Sequence, residues 1–147
     1  MVSCNINNKT TQAREFISLA DSAVLIEKWT VVVNEPNLLK YRNEYRFYSN
    51  GQYEKYDLSS IPQHGAYYYQ DETNSVFLLP AMQGEIFILC IQLIEEIQKP
   101  IDVQGKCYKF REYYDCKIDA DRNFSVDENN MRETNIFDYV IREKIEE

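Results

Sequence analysis

The chain has one histidine, one tryptophan, four glycines and four prolines in 147 residues. A single imidazole leaves no histidine pair for a metal. None of Cys4, Cys90, Cys107 and Cys116 stands in a Cys-x-x-Cys pair, so the composition argues against a zinc site. The longest apolar stretch, around 86–94, is too short to span a bilayer. The N-terminus, Met-Val-Ser-Cys-Asn-Ile-Asn-Asn-Lys, lacks the apolar segment of an export signal. A cytoplasmic protein with free thiols is therefore expected. Excess positive charge is also missing: 16 Lys and Arg stand against 24 Asp and Glu, a net charge of −8. A phosphate backbone needs clustered Lys and Arg, so direct nucleic-acid binding is not expected. The surplus is graded along the chain: residues 1–60 are neutral, 61–114 carry −3 and 115–147 carry −5. Such a skin favours solubility. It also suits docking on a basic protein partner.

Aromatic residues are abundant, with twelve Tyr and seven Phe. Tyrosine favours strands and half-buried surfaces, because its ring packs while its hydroxyl needs a partner. The clearest local signal is Tyr45-Arg-Phe-Tyr-Ser-Asn-Gly-Gln-Tyr-Glu-Lys-Tyr56. Leu39, Tyr41, Tyr45 and Phe47 alternate with Lys40, Arg42, Glu44 and Arg46, which predicts a strand with one apolar and one wet face. Asn50-Gly51 can take the two positive φ angles of a type I′ turn. Strands over 39–48 and 52–58 follow.

The length predicts a single domain, 1–147, large enough to bury a core. Residues 1–10 read as a frayed end, 11–114 as a helix plus a β-barrel, and 115–147 as an acidic loop and a helix. Phe16, Ile17, Ala20, Ala23 and Val24 at helical spacing predict an N-terminal helix over 12–25, capped by Thr11. Lys28–Asn34 reads as a strand and Glu35-Pro36-Asn37 as a turn. Pro62 and His64 fall in a loop over 59–65. A second hairpin runs from Ala66 to Leu79 around Asp71-Glu-Thr-Asn74. Glu85–Ile94, apolar on both faces, predicts a buried strand; its Leu93–Ile97 end reads equally as strand or short helix. Cys90 in this run reads as a small core residue. Lys106–Tyr113 is the last clear strand. Ile136, Phe137, Val140, Ile141 and Ile145 predict a C-terminal helix over 136–146, capped by Asn135. The fold class is mainly β: an antiparallel meander closing into a small barrel, with a helix at each end.

The motif order over about 28–114 resembles that of small lipocalin-like (calycin) barrels. Trp29 in Lys28-Trp29-Thr30 matches their first-strand tryptophan. Tyr45–Tyr53 matches an aromatic strand, turn and return. Gly65-Ala66-Tyr67 through Leu79, and Tyr108-Lys-Phe-Arg111, match later strands. Glu27-Lys28 replace the glycine that commonly precedes the tryptophan. The resemblance implies a non-enzymatic binding protein without a cofactor. Its ligand would be small and apolar or aromatic, held among Trp29, Tyr41, Tyr45, Phe47, Tyr68 and Phe87 as inward residues. The same rings read otherwise as a filled core. A calycin-type enzyme is a further option.

Tyr67-Tyr68-Tyr69 places neighbouring rings on opposite faces, which makes Tyr67 and Tyr69 candidate anchors for a protein partner. That partner is basic in the alternative reading, in which the chain is an inhibitor occupying a nucleic-acid-binding surface. Asp119 to Asp127 spaces oxygen ligands as an EF-hand does, but Phe124 and Asn130 stand where Gly and Glu are needed. No metal is expected there. His64 has no Ser or Cys nucleophile close in sequence and reads as a surface residue. Cys107 and Cys116 are candidates to pair across a strand end in an oxidising compartment.

Overall fold

Extended chain supplies the regular structure of the computed structural model, which describes residues 23–34, 41–57, 61–81, 87–132, 134 and 136–145. Seven strands follow one another as antiparallel neighbours: β1 (Leu25–Val33), β2 (Tyr41–Tyr48), β3 (Gln52–Tyr56), β4 (Gln63–Gln70), β5 (Ser75–Pro80), β6 (Leu89–Ile97) and β7 (Lys106–Tyr113). The chain then makes an excursion through a short hairpin, β8 (Lys117–Ile118) with β9 (Phe124–Ser125), and a two-residue strand, β10 (Met131–Arg132). The last strand, β11 (Tyr139–Lys144), enters between β7 and β1 and closes an eight-stranded antiparallel barrel.

The expected C-terminal helix over 136–146 is therefore a strand. Spacing at 136, 140, 141 and 145 fits a helix locally, but closure decides the outcome. Without β11 the edges of β1 and β7 would stand bare. β11 pairs six residues of β1, from Glu27↔Lys144 to Val32↔Tyr139, and three of β7. β-branched Val140 and Ile141 suit that setting. The N-terminal helix over 12–25 falls mostly outside the described residues. Its end is corrected, because Leu25 already belongs to β1. Among the described residues there is no α-helix. The frayed segment 1–10 and the turn at Glu35-Pro36-Asn37 lie outside the described residues.

The opening hairpin forms with a different turn. The register pairs Phe47 with Tyr53, and the amide of Gly51 donates to the carbonyl of Tyr48 at 3.1 Å. Gly51 has φ of +84°, whereas Asn50 does not have a positive φ. The connection is thus three residues ending in a left-handed glycine, the second common hairpin solution. Asn50 Oδ1 accepts from the Gln52 amide at 3.1 Å instead. His64 sits on β4 and not in a loop. β6 continues to Ile97 as strand, with a bulge between Leu93 and Glu95.

One apolar cluster fills the barrel: Trp29, Val31, Val33, Tyr45, Phe47, Tyr53, Val76, Leu78, Ile91, Leu93, Phe110 and Val140. Its rings pack edge-on or tilted, as Trp29 on Phe47 at 5.7 Å and Phe47 on Tyr67 at 4.8 Å. Gly65 makes room for this packing: a Cβ there would lie 2.7 Å from the Tyr53 ring and 2.2 Å from the Leu79 carbonyl oxygen. Two further clusters lie on the outside. Phe77, Ile88, Cys90, Tyr113 and Cys116 are covered by Phe124 and Met131 of the excursion. Val32, Cys107, Tyr139 and Ile141 pack with Ile97 and Val103.

Candidate functional site

Strand parity decides which side chains reach the barrel's open end. On β11, Val140 belongs to the interior cluster, so Arg142 and Lys144 continue the same face. On β7, Phe110 and Tyr108 face inward, and Lys106 follows them. These side chains meet at the end bounded by turns 49–51 and 71–74 and the loop 98–105. With Gly105 they line a cavity of about 260 Å³. Gly105 has φ of +95°, and a Cβ there would lie 2.4 Å from the Arg142 carbonyl oxygen. Glycine therefore lets the loop press against β11.

Arg142 is the centre of this mouth. Its guanidinium lies 5.5 Å from the Trp29 ring centroid and 5.1 Å from that of Tyr69. Its Nε–H donates to Glu27 Oε2, and the Trp29 indole N–H donates to the same oxygen. Both partners of the ion pair are largely shielded, with side chains 12% and 18% exposed. Burial pulls the Arg142 pKa down, but the hydrogen bond and charge of Glu27 outweigh it, so the net shift is upward. Tyr69 donates to Asn74 Oδ1 at 3.0 Å, and Tyr67 to the Tyr48 carbonyl at 2.9 Å. Burial, then the Glu27 charge, raises the Tyr67 pKa. Lys106 approaches Glu96 at 4.0 Å while its side chain stays 66% exposed. The charged side chains lining the cavity itself are Lys106, Arg142 and Lys144, of which Arg142 is paired with Glu27 and Lys106 lies near Glu96.

The expected ligand residues divide. Trp29, Tyr45 and Phe47 are interior and fully buried. Tyr41 pairs with Val33 through its backbone, and its side chain lies outside the described residues. Tyr68 and Phe87 do not face inward: they are 41% and 46% exposed. The partner anchors are corrected with them. Tyr67 and Tyr69 pack against the interior cluster, across from the inward Leu78 and Val76. Tyr68 pairs with the outward Phe77 and lies 5.1 Å from Phe124. Three identical rings carry no alternation, so nothing local marks the parity. Glu27, Lys106, Tyr108, Arg142 and Lys144 went unread. Their signal is a charge in phase with apolar residues, as Arg142 is with Val140, visible once 139–144 is read as a strand.

Other polar groups are already engaged. On the outer wall of β2–β4, Tyr48 and Tyr56 both donate to Glu54 Oε1. His64 Nδ1 lies 3.9 Å from Glu54 Oε2. In the EF-hand-like segment, Asp119 Oδ1 accepts from the amides of Asp121 and Asn123 at 2.9 Å each, closing the β8–β9 turn. Among the described residues no group of three or more His, Cys, Asp or Glu is placed to hold a metal ion. Cys107 and Cys116 fall in separate clusters, which removes their pairing. A shallow groove of about 270 Å³ follows the outer seam near Ile94, Arg111 and Ile136.

Fold and mouth together define a closed antiparallel barrel with one charged, aromatic end. No family model, curated protein or solved structure matches the chain.

Proposed function

We propose that the chain is a non-enzymatic binding protein that takes a small ligand at the barrel mouth. The ligand has an aromatic or apolar body and an anionic group. The observation that carries this reading is Arg142, fixed over Trp29 and Tyr69 at the wall of a cavity that also holds Lys106 and Lys144. An anion gains from Lys144 and the largely exposed Lys106, beside an Arg142 already paired with Glu27, and a ring gains from Tyr108 and the apolar floor. The deeper barrel is filled, so the expected site moves from its centre to its end. At about 260 Å³ the cavity lies below the roughly 300–1,000 Å³ of drug-sized sites. That favours a single ring over a long chain.

Benzoate and benzyl alcohol test this reading by thermal shift and native mass spectrometry. Benzoate is expected to bind saturably at one site, more tightly than the neutral alcohol. Lys106→Ala and Lys144→Ala should each weaken benzoate severalfold without lowering the melting temperature. Absence of saturable binding by either compound, or equal binding of both, overturns it.

The alternative, an acidic inhibitor docking on a basic partner, draws on the −5 charge of residues 115–147. It loses Tyr67 and Tyr69 as anchors, and the exposed ring of the three is Tyr68, expected as an inward ligand residue. Salt-sensitive co-purification with a basic protein would favour it. Among the described residues no helix is long and apolar enough to cross a membrane. A cytoplasmic location goes with this reading.

A further inference from the structure

Residues 114–131 leave the barrel at Tyr113 and return over its outer wall. Phe124 stacks on Phe77 with ring centroids 4.7 Å apart. The Tyr114 amide donates to the Asn130 carbonyl at 3.1 Å, and Tyr113 pairs with Met131. This flap therefore has a hydrogen-bonded base and an aromatic tip. Between them, the Cys116 amide donates to the Ile88 carbonyl at 2.9 Å. Ile88 and Cys90 are two residues apart on one face, and both belong to the apolar cluster that contains Cys116. The two thiols are diagonal neighbours across adjacent chains in this one buried cluster, where the Cys116 thiol donates to the Tyr113 carbonyl at 3.7 Å, and each thiol shifts the other's ionisation, Cys90 upward and Cys116 downward. Cys107 lies in the other outer cluster.

We propose that Cys90 and Cys116 are a redox site whose disulfide fastens the flap to the barrel wall. The oxidant is a low-molecular-weight disulfide of the glutathione class. A thiolate of one cysteine attacks it, releasing one reduced thiol and leaving a mixed disulfide. The second cysteine displaces the other thiol as the S–S bond forms. Two S–H bonds are lost, and two electrons and two protons end on the reduced oxidant. Both thiols are buried, Cys90 at 1% and Cys116 at 6% exposure, so reaction requires the flap to open. The cross-link then closes it. The flap is the switch, and the cellular redox poise sets its position.

The test treats the full-length folded protein with oxidised glutathione and maps its cysteines by peptide mass spectrometry. A loss of about 2 Da with a Cys90–Cys116 peptide is expected. Hydrogen exchange over 114–131 should slow, and the melting temperature should rise by several degrees. Cys116→Ser should abolish the 2 Da loss. Wild-type mapping stands independently of any variant's folding. Stable glutathione adducts on the separate cysteines, pairing of either with Cys107 or Cys4, or unaltered thiols under conditions that oxidise the urea-unfolded chain would overturn the proposal.

Discussion

The outer wall of β2–β4 and the outer wall of β5–β7 belong to one sheet but carry opposite chemistry. The first is wet, with Glu44, Arg46, Tyr48, Glu54 and Tyr56 in a hydrogen-bonded array. The second is dry where the flap lies on it, with Phe77, Cys90 and Tyr113 buried, and is charged only beyond the flap, at Lys109, Arg111 and Glu95. Inside the barrel both halves contribute to the same aromatic core. A strand's sequence pattern therefore reports what covers its outer face as much as what lies within. β2 alternates because water covers it; Val76–Leu79 of β5 and Leu89–Ile91 of β6 are apolar on both faces because the flap covers them, and β6 turns polar at Gln92, Glu95 and Glu96 where that cover ends.

The largest effect is expected at the shared interior. Phe110→Ala removes a ring that is 1% exposed and should cost about 3–5 kcal/mol in urea unfolding. Phe77→Ala removes an equally hidden ring on the dry outer wall. Its cost should be smaller, about 2–3 kcal/mol, because the flap can settle into the space. Equal costs would mean that the flap is as rigid as the barrel. Tyr68→Ala, on the exposed ring beside Phe124, should cost under about 1 kcal/mol.

Gly65→Ala tests the interior from the other side. The added methyl meets the Leu79 carbonyl oxygen, a backbone atom, at 2.2 Å. β4 must move away from β5, so a loss of about 1–3 kcal/mol is expected. Urea titration with an unchanged slope would show that the barrel yields locally and does not open.

This contrast explains what could be read in the chain alone. β2 and β7 were legible because aromatic residues alternate with charged ones at Tyr45-Arg46-Phe47 and Tyr108-Lys109-Phe110-Arg111, and β3 because it follows β2 across the Gly51 turn. The barrel class followed from hairpins in series. The register of β4 was hidden in three consecutive tyrosines, and β11 was hidden because its apolar spacing fits a helix equally well. Its identity depends on an edge left bare by β1 and β7, more than a hundred residues away in β1's case. The mouth was missed with it. Arg142 becomes a site residue only after β11 is placed beside Trp29.

Alkaline pH should loosen the interior next. Burial raises the Tyr53 pKa above its ordinary value near 10, and does the same to Tyr67. Their contribution is complete below about pH 10, where folded and unfolded tyrosines are both protonated. Above it the unfolded chain releases protons that the folded chain retains, so stability falls as pH rises. Tyr53 alone should give a slope of about 1.4 kcal/mol per pH unit. Urea midpoints at pH 8, 10 and 11 measure it, and Tyr53→Phe should flatten the curve. An unchanged slope in that variant would assign the loss to other tyrosines.

The smallest effect belongs to the wet wall, and it separates two causes of a raised tyrosine. Tyr48 is held above its ordinary value first by burial and then by its hydrogen bond to Glu54, and Tyr56 by the same two causes. Tyr53 is raised by burial alone. Glu54→Gln keeps an oxygen acceptor for both hydroxyls but removes the negative charge that opposes their ionisation. Stability at neutral pH should change by less than about 1 kcal/mol. Ultraviolet titration at the phenolate band should show two tyrosines moving toward lower pH, though not fully to the ordinary value, because their burial persists. The late-titrating class that contains Tyr53 should stay where it was. If that class moves too, the charge of Glu54 is felt through the barrel wall, and the two faces of β2–β4 are electrostatically one.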